Sequence, residues 1–556
     1  MKKSKPYPYY DIPELWTIPE VVDYGREKGK DLPAFYRGQN NDEPLTFGET
    51  SEMIRQLGTA FLAKGLNSAH VALIGENSTE WIFSFLAITS SGNVAVPLDR
   101  GLPKEDIAEL AEHCDCSAIV YSEKCKKIID HLQGLGGVFN EIMFISLADF
   151  DKLVEEGKRL LEEGNTAFDD ARAKVGKDTL ASIVYTSGTS GKMKGVMLSH
   201  GNVASDAAAT CMAATAENTQ LLLPLHHTFS WASAMLAVFL YVVDIHISGD
   251  LKRIVKDFQK NHPQNVSVVP MMAEMLYRGI WSGAKKQGNE KKLKHGLTIS
   301  RMLMAMGIDK RRSIFKEVHE NFGGKLELII CGGAAMDPNL ETGLYDLGIE
   351  VLNGYGITEC SPVVAVNRNL DRRVGSVGKP LPCNTVKIDD PDENGIGEIC
   401  VSGSNVMLGY YKNPEATAEV FDGEWFRTGD YGRLDEDGFL FITGRKKNLI
   451  ILANGENISP EELEMKLSRA KYVVDVVVYE ENGVITAEFY LDEKTYPDAR
   501  TLLDEDVKQF NRTMPKNKNI GQVKVRDIPF EKTTTMKIKR YLLGNSTNGE
   551  GKNEQR

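Results

Sequence analysis

A loop of glycines, hydroxyl side chains and lysines is the segment of this sequence with the clearest chemistry. Residues 185–195 have the sequence YTSGTSGKMKG, in which four Ser or Thr residues, three glycines and two lysines stand close together. Backbone N–H and side-chain O–H groups in such a loop can bind polyphosphate oxygens, and the lysines supply the opposite charge. The segment is not a Walker loop, because no glycine stands five residues before a Gly-Lys-Ser/Thr. Its composition alone fits a phosphate-binding loop and a flexible surface loop about equally well.

Four further segments stand out, of which the first three contain glycines and the last is rich in lysine and threonine. They are residues 331–335 (CGGAA), 353–359 (NGYGITE), 425–430 (WFRTGD) and 529–540 (PFEKTTTMKIKR). Glycines allow a flat ligand to approach the backbone closely. A carboxylate such as the one that ends the second of these segments suits Mg²⁺, which prefers hard oxygen ligands and substrate phosphates.

Together the five segments resemble, in their order along the chain, the motifs of the adenylate-forming superfamily. That superfamily contains acyl-CoA synthetases, luciferases and peptide-synthetase adenylation domains, and the matches run from about residue 40 to residue 540. The resemblance implies that ATP activates a carboxylic acid as its acyl-adenylate, with Mg²⁺ as cofactor. Met193 stands where the family commonly has Pro. By this resemblance the phosphate loop binds ATP through Thr186, Ser187, Gly188, Thr189, Ser190, Gly191 and Lys194.

The same resemblance assigns the other nucleotide and metal ligands. Gly333 and Ala334 are implied to form the backbone wall beside adenine, Tyr355 is implied to stack on it, and Asn353 belongs to the same nucleotide site. The remaining implied contacts are those of Thr358 with the α-phosphate, of Glu359 and Thr186 with Mg²⁺, of Asp430 with the ribose hydroxyls, and of Arg445 with ribose or phosphate.

Two lysines and a glycine are implied to carry the reaction through its two steps. Lys537 matches the adenylation lysine, which contacts the carboxylate and the α-phosphate, and Met536 stands before it where the family commonly has Gly. Lys447 matches the hinge about which the C-terminal domain rotates between the steps. Gly455 is implied to leave room for the pantetheine arm of coenzyme A, the co-substrate.

A histidine pair and an apolar stretch bear on the identity of the acid. His227 fits the family position that borders the reacting carbonyl, and His226 is then a neighbour that packs or hydrogen-bonds. Residues 232–240 are apolar and rich in small side chains, so they form either the lining of a tunnel for a fatty chain or a buried core helix. Periodicity does not separate these two interpretations.

The sequence as a whole is most similar in style to bacterial long-chain acyl-CoA synthetases. This likeness implies a medium- or long-chain fatty acid as substrate and coenzyme A as acceptor. Two alternatives stay open, namely acyl transfer to the pantetheine of a carrier protein, and a non-catalytic regulator that binds a nucleotide.

Patterns of buried strands and amphipathic helices alternate in the first part of the chain. Strand-like residues 69–75, 93–98 and 117–121 alternate with helical patterns over 78–91 and 105–113. This βαβ order predicts parallel sheets covered by helices, and hence an α/β fold class.

Later patterns divide the chain into further units. Residues 375–441 contain short strands separated by Asn-Gly and Asp-Gly turns, which predicts a β subdomain. Ser459, followed by Pro and two glutamates, predicts the start of a helix. We therefore expect a large N-terminal AMP-binding domain over residues 1–444, a hinge over 445–448, a small mobile α+β lid over 449–540 and a disordered tail over 541–556.

Composition narrows the possible partners and locations. The chain has 556 residues and a net charge of −12, which excludes an extended nucleic-acid surface and indicates more than one folded unit. No apolar segment follows the basic N-terminus, so we expect no secretory signal and a cytoplasmic location. Residues 231–243, the most apolar stretch, are too short to span a membrane, while peripheral membrane contact stays open. The eight scattered cysteines fit reduced thiols.

Overall fold

The computed structural model describes residues 6–37, 42–187, 193–248, 253–451, 457–533 and 537–543. The predicted tail beyond residue 543 therefore lies outside the described residues. The α-helices are α1 (Ile18–Gly29), α2 (Phe47–Ala63), α3 (Thr79–Ser90), α4 (Lys104–His113), α5 (Lys126–Leu135), α6 (Phe150–Glu162), α7 (Ala167–Arg172), α8 (His200–Ala213), α9 (Leu236–Tyr241), α10 (Ile254–Asn261), α11 (Pro270–Lys286), α12 (Glu290–Ala305), α13 (Arg311–Ile314), α14 (Lys316–Asn321), α15 (Pro338–Asp346), α16 (Pro414–Val420), α17 (Pro460–Leu467) and α18 (Ala499–Thr513).

The strands belong to three large sheets and two small ones. They are β1 (Pro33–Arg37), β2 (Glu43–Thr46), β3 (His70–Ile74), β4 (Val94–Leu98), β5 (Cys116–Tyr121), β6 (Met143–Ser146), β7 (Leu180–Ser187), β8 (Met193–Ser199), β9 (Thr219–Leu221), β10 (Ile245–Ile247), β11 (Asn265–Val268), β12 (Leu328–Cys331), β13 (Glu350–Gly356), β14 (Val363–Val366), β15 (Lys379–Pro380), β16 (Asn384–Asp389), β17 (Gly397–Gly403), β18 (Gly409–Tyr410), β19 (Phe421–Asp422), β20 (Trp425–Leu434), β21 (Leu440–Arg445), β22 (Ile450–Ile451), β23 (Asn457–Ile458), β24 (Val473–Glu481), β25 (Val484–Leu491) and β26 (Gln522–Arg526).

The first βαβ units form a seven-stranded sheet in the order β18-β8-β7-β4-β3-β5-β6. Strands β4, β3, β5 and β6 pair in parallel, as the alternating patterns predict. Between β3 and β4, the buried helix α3 begins where the Ser78 Oγ accepts a 3.2 Å hydrogen bond from the backbone N–H of Trp81. The predicted α/β class is confirmed, and this sheet contains the strands β7 and β8 that flank the predicted phosphate loop.

The second sheet has nine strands in the order β15-β14-β13-β12-β11-β9-β10-β1-β2. Its centre, from β10 to β13, is entirely parallel. In open parallel sheets ligands bind outside the carboxyl ends of the strands. Here the carboxyl ends of β12 and β13 deliver residues 332–333 and 353–356 side by side, since Cys331 is paired with Asn353.

A β unit and a small α+β unit complete the chain. Strands β16, β17, β20 and β21 form an antiparallel sheet, in agreement with the turn-rich pattern over residues 375–441. Strands β24 to β26 pack with α17 and α18 around a separate apolar core. Helix α17 starts at Pro460 with Ser459 as its N-cap, as predicted, and the Ser459 Oγ accepts from the backbone N–H of Glu462 at 3.4 Å.

The most apolar stretch is divided between two short helical segments. Residues Phe229–Met235 form a π-helical segment that continues into α9, and the chain leaves α9 at Val242, whose φ is 55°. In the part of the chain that the structure covers, none of the helices combines the length and apolarity needed to cross a membrane. π-helical turns are rare and are found mostly at functional sites, which directs attention to the cavity beside this segment.

Candidate active site

A cavity opens where the carboxyl ends of β12 and β13 meet the π-helical segment. The empty space there, including the part that is open to solvent, is about 910 Å³, and its lining includes Gly332, Gly333, Tyr355 and Phe229. Gly333 has a φ of 84°, a conformation that side chains rarely adopt. The lining at this end is therefore mostly backbone and aromatic ring, a surface that a flat base can approach.

Tyr355 and Asp430 join the central sheet to the β unit. The Tyr355 hydroxyl donates a 2.7 Å hydrogen bond to Asp430 Oδ2, and Arg445 Nε lies 3.0 Å from Asp430 Oδ1. Asp430 and Arg445 are opposite each other on β20 and β21. Burial raises the pKa of Asp430, whose residue is only 3% exposed, while Arg445 and Tyr355 oppose that shift.

Asn353 is buried beside these groups with spare hydrogen-bonding capacity. Its Nδ2 donates to the backbone carbonyl of Ser376 at 3.3 Å, whereas its buried Oδ1 has no hydrogen-bond partner among the residues that the structure describes. A buried acceptor without a partner is costly unless a ligand or water satisfies it. Ala334, next to Gly333, is exposed at the same edge of the cavity.

The two ends of the predicted phosphate-loop segment belong to paired antiparallel strands. Strand β7 continues to Ser187 and β8 resumes at Met193, so Thr186 and Lys194 face each other as a cross-strand pair. The sequence places this segment's hydroxyls and glycines close together, but cross-strand pairing is a long-range effect that its composition does not reveal. Of the predicted phosphate ligands, Gly188, Thr189, Ser190, Gly191 and the side chain of Ser187 lie outside the described residues.

Glu359 is held next to the β7–β8 hairpin by Tyr410. The Tyr410 hydroxyl donates to Glu359 Oε1 at 2.9 Å, and the Lys194 Nζ lies 4.7 Å from the centre of the Tyr410 ring. Tyr410 reaches this place because β18 pairs with β8. Thr358 begins the short 3₁₀ turn Thr358–Cys360. The structure thus brings the hairpin and the predicted metal ligand together through a tyrosine that sequence reasoning missed.

The donor set around Glu359 fits a magnesium ion held mainly by phosphates. Within the described ranges no three His, Cys, Asp or Glu side chains are grouped so that they could hold a metal by themselves. Mg²⁺ usually takes one or two protein carboxylates and completes its shell with water and substrate phosphates. A single carboxylate beside the segment that is predicted to bind phosphate has this character.

Lys537, in the C-terminal α+β unit, lies near Arg445 and Asp430. Its backbone N–H donates to Thr533 Oγ1 at 3.2 Å, and its side chain remains accessible to solvent. The pKa of Lys537 is lowered, first by desolvation in the surrounding protein and then by the charge of Arg445, with Asp430 opposing. Lys537 is therefore near enough to Arg445 and Asp430 to share their electrostatic field.

His227 lies within that field as well. Burial, the neighbouring His226 and the charge of Lys537 lower its pKa well below the ordinary range, so His227 is neutral near pH 7. The two imidazole rings are 4.1 Å apart, and His226 Nε2 lies 3.6 Å from Asp99 Oδ2. Of the two histidines, only His227 has a pKa that is lowered by the charge of Lys537.

The predicted hinge and the predicted thiol tunnel are only partly covered by the structure. Lys447 lies in the 3₁₀ turn Lys446–Asn448, directly after β21, and desolvation together with Lys194 and Arg445 lowers its pKa. Gly455 and Met536 lie outside the described residues.

The apolar stretch over residues 232–240 contributes to both the cavity lining and the main apolar core. Ser233, Ala234, Ala237 and Val238 line the cavity. Met235, Leu236, Phe239 and Leu240 are buried in the main apolar core. Ala234, Ala237 and Val238 also belong to that core, so these small side chains lie between the cavity and the core, whereas the large side chains do not line the cavity.

Comparison with known proteins agrees with this geometry. The family described as AMP-binding enzyme matches residues 23–411. Long-chain-fatty-acid–CoA ligase 1 of Homo sapiens is 30% identical over 533 residues, covering 89% of this chain and 75% of its own. Long-chain-fatty-acid–CoA ligase FadD15 of Mycobacterium bovis is 27% identical over 552 residues and covers 90% of both chains.

Solved structures share the whole fold at low sequence identity. The anthranilate CoA ligase AuaEII in complex with anthranoyl-AMP superposes with a TM-score of 0.73 at 20% identity, covering 96% of this chain and 97% of its own. The o-succinylbenzoate CoA synthetase MenE from Bacillus subtilis, in complex with ATP and magnesium, superposes with a TM-score of 0.69 at 22% identity, covering 94% and 98%. Because the family match spans well over half of the chain, this protein belongs to the AMP-binding enzyme family.

Proposed function

We propose that the protein activates a medium- or long-chain fatty acid with ATP and transfers the acyl group to coenzyme A. The proposal rests on one observation: the mostly apolar cavity opens beside Gly333 and Tyr355. The charge of Lys537 acts on both His227 and Asp430. Asp430 is in turn hydrogen-bonded to Tyr355, which lines the cavity. A carboxylate whose alkyl chain filled the cavity would meet the α-phosphate of a nucleotide there. The two relatives named as long-chain-fatty-acid–CoA ligases support the same class of acid.

ATP binding draws on the polar groups around that opening. The unpartnered Asn353 Oδ1 suits a donor such as the amino group of adenine. Asp430 is a carboxylate with more acceptor sites than its two protein partners use, and it would accept from the ribose hydroxyls. Thr186 and Lys194, paired across the hairpin, would bind the β- and γ-phosphates.

The first step joins two anions, so charge neutralisation dominates its barrier. An oxygen of the fatty carboxylate attacks the α-phosphorus, the bond to the bridging oxygen breaks, and pyrophosphate leaves with the electron pair. The Lys537 ammonium would contact the carboxylate and the α-phosphate, and fixed charges of this kind are typically worth roughly 10²–10³ in rate each. Glu359 and Thr186 would hold Mg²⁺, which neutralises charge on the phosphate oxygens when bound.

The second step needs a different face of the C-terminal unit. Rotation at Lys447 would withdraw Lys537 and bring the segment that contains Gly455 to the acyl-adenylate. The thiol sulfur of coenzyme A attacks the carbonyl carbon, the bond from that carbon to AMP breaks, and the thiol proton is released. His227, kept neutral by burial and by Lys537, would border the reacting carbonyl without adding a charge there.

A carrier protein is the second acceptor that a structural observation favours. Lys285, Lys286 and Lys291 occupy exposed positions on α11 and α12, although the chain as a whole has a net charge of −12. Such a local basic surface would suit an acidic carrier protein that presents pantetheine. A non-catalytic regulator is disfavoured by the joint presence of Lys537, Glu359 and Asp430.

One assay tests the acid and the acceptor together. Pyrophosphate release is measured across saturated acids from hexanoate to hexadecanoate, with no acceptor, with coenzyme A, and with a pantetheine-bearing carrier protein. We expect acid-dependent release that becomes multiple-turnover with coenzyme A. Multiple turnover with the carrier protein but not with coenzyme A would identify the carrier protein as the acceptor. The absence of acid-dependent pyrophosphate release with every acid would reject the proposed activity.

A further inference from the structure

The inner part of the cavity, which is proposed to hold the alkyl chain, is lined by residues with buried polar atoms that an alkyl chain would leave without hydrogen bonds. Asn265 begins β11 and is 3% exposed. Its Nδ2 donates a 2.9 Å hydrogen bond to the hydroxyl of Thr219, the first residue of β9. Its Oδ1 is also buried, and no group in the described ranges donates to it. Both residues line the cavity.

Strand register shows how far this acceptor lies from the nucleotide end. Asn265 is paired with Leu328 at the start of β12, and Gly332 follows Leu328 by four residues in the direction of the opening. At about 3.3 Å per residue this separation is about 13 Å. Ser267 also lines the cavity and projects from β11 on the same side as Asn265. The polar group therefore lies deep along the path that an acyl chain would follow.

Two further residues of the cavity lining carry buried hydroxyls that also lack a hydrogen-bond partner among the described residues. Ser233, on the π-helical segment, and Thr210, on α8, both line the cavity. Their buried Oγ and Oγ1 atoms have no hydrogen-bond partner within the part of the chain that the structure describes. Three separate elements thus each contribute to the cavity lining a residue with an unsatisfied polar atom.

A saturated chain is a poor match for such a lining. Methylene groups packed against a buried donor or acceptor strip its water and return no hydrogen bond, so the desolvation cost remains. A site that hydrogen-bonds a substrate hydroxyl rejects the analogue that lacks it, whereas a purely apolar pocket discriminates weakly between the two. The unsatisfied polar atoms therefore favour fatty acids that carry a hydrogen-bonding group over saturated ones.

We propose that the preferred substrates are fatty acids with a hydroxyl group at or near the far end of the chain. Asn265 Oδ1 accepts a hydrogen bond from that hydroxyl, and the side chains of Ser233 and Thr210 bond to its oxygen or to a water beside it. This inference rests on the proposed acid-activating function and adds the class of acid. Because only one chain length places the hydroxyl at Asn265, the preference is greatest at one length.

The test compares each saturated acid from hexanoate to hexadecanoate with the ω-hydroxy acid of the same length, by pyrophosphate release. We expect kcat/KM for the hydroxy acid to exceed that of its partner by at least about tenfold at the best length. Asn265→Leu should remove or reverse this ratio. Thr210→Val, a change of similar shape on a different element, should reduce it.

A ratio of two substrates on one enzyme cancels any general loss of folded protein. Thr59→Val is the matched control, because the Thr59 hydroxyl is bonded within its own helix and does not line the cavity, so the ratio should be unchanged. Equal or better use of the saturated acid at every length would overturn the inference and leave the proposed function standing. A hydroxyl preference that survives both cavity variants would also overturn it, and no release with any acid would instead reject the proposed function.

Discussion

The Tyr355 hydroxyl donates a 2.7 Å hydrogen bond to the buried carboxylate of Asp430. Tyr355 belongs to the strand β13 of the central sheet, whereas Asp430 belongs to β20 of the β unit. The bond therefore fixes the predicted adenine-stacking ring relative to the predicted ribose acceptor. It also counts among the few interactions that favour the charged form of a carboxylate whose burial raises its pKa.

Tyr355→Phe should weaken ATP binding and move the acid limb of activity. The substitution releases the Asp430 carboxylate from the bond that fixes its orientation toward the predicted ribose site, so kcat/KM for ATP should fall. Without this donor the Asp430 pKa rises further, and activity should be lost at a higher pH as the pH falls and the carboxylate is protonated. The measurement is the pH profile of kcat/KM for ATP.

The control is Tyr479→Phe, which removes a tyrosine hydroxyl that donates to Glu488 in the C-terminal unit. Its profile should match that of the unmodified protein. An unchanged acid limb in Tyr355→Phe would show that protonation of Asp430 does not limit activity.

Local patterns predicted the supporting elements well. Helix α3 lies within the predicted helical pattern over residues 78–91, and α17 begins at Pro460 after the predicted cap Ser459, because capping depends on residues only three positions apart. The βαβ order likewise follows from periodicity, which is a local property.

Contacts between distant strands could not be predicted in this way. Tyr410 carries no motif, and it meets Glu359 only because β18 pairs with β8. The hairpin pairing of Thr186 with Lys194 is also a product of the folded sheet. The unpartnered Asn265 Oδ1 depends on what surrounds it in the cavity, which residue type and spacing do not report.

Lys537→Ala should separate the two half-reactions. The substitution removes the cation proposed to contact the carboxylate and the α-phosphate, so acid-dependent ATP–pyrophosphate exchange should fall by at least about 10²-fold. Thioester formation from supplied acyl-adenylate and coenzyme A should persist, because that step is proposed to occur after Lys537 has withdrawn. Exchange at a near-normal rate would contradict the assignment of Lys537, and loss of both half-reactions would indicate a general structural role.

The lowered pKa of Lys537 predicts an early alkaline limit for adenylation. A lysine whose pKa is lowered loses its charge at a lower pH than an ordinary lysine, so exchange should decline as the pH rises through that lowered value. Lys537→Arg keeps a cation that does not titrate in this range and should extend activity to higher pH, even if its maximum rate is lower. The alkaline limbs of the two exchange profiles are compared, and identical limbs would rule out titration of Lys537 as the cause.

Glu359→Gln should raise the magnesium requirement. A neutral amide replaces the only carboxylate assigned to the metal, so the Mg²⁺ concentration for half-maximal exchange should increase by about tenfold or more. Tyr410→Phe leaves the carboxylate in place but removes its 2.9 Å hydrogen bond, and we expect a smaller increase in the same direction. The measurement is a magnesium titration at saturating ATP. If Glu359→Gln lowers the rate at all magnesium concentrations without shifting the midpoint, Glu359 does not hold the metal.

Asp206→Asn should stabilise the protein increasingly as the pH rises. Asp206 on α8 is 0% exposed, and its Oδ1 accepts from the backbone N–H of Val363 and from Asn405 Nδ2, each at 3.1 Å. Burial raises its pKa well above the ordinary range. A carboxyl with a folded pKa above its unfolded pKa stabilises the fold fully below the unfolded value, near 3.9, and that contribution is lost as the pH rises toward the folded value.

The loss amounts to at most about 1.4 kcal/mol per pH unit across this window, and an asparagine does not incur it. The thermal midpoint of Asp206→Asn minus that of the unmodified protein should therefore increase between about pH 5 and pH 8. Asp31→Asn, at an exposed position, is the control and should give a nearly constant difference. A flat difference for Asp206→Asn as well would mean that the Asp206 carboxyl titrates alike in the folded and unfolded chains, because only a difference in bound protons makes stability depend on pH.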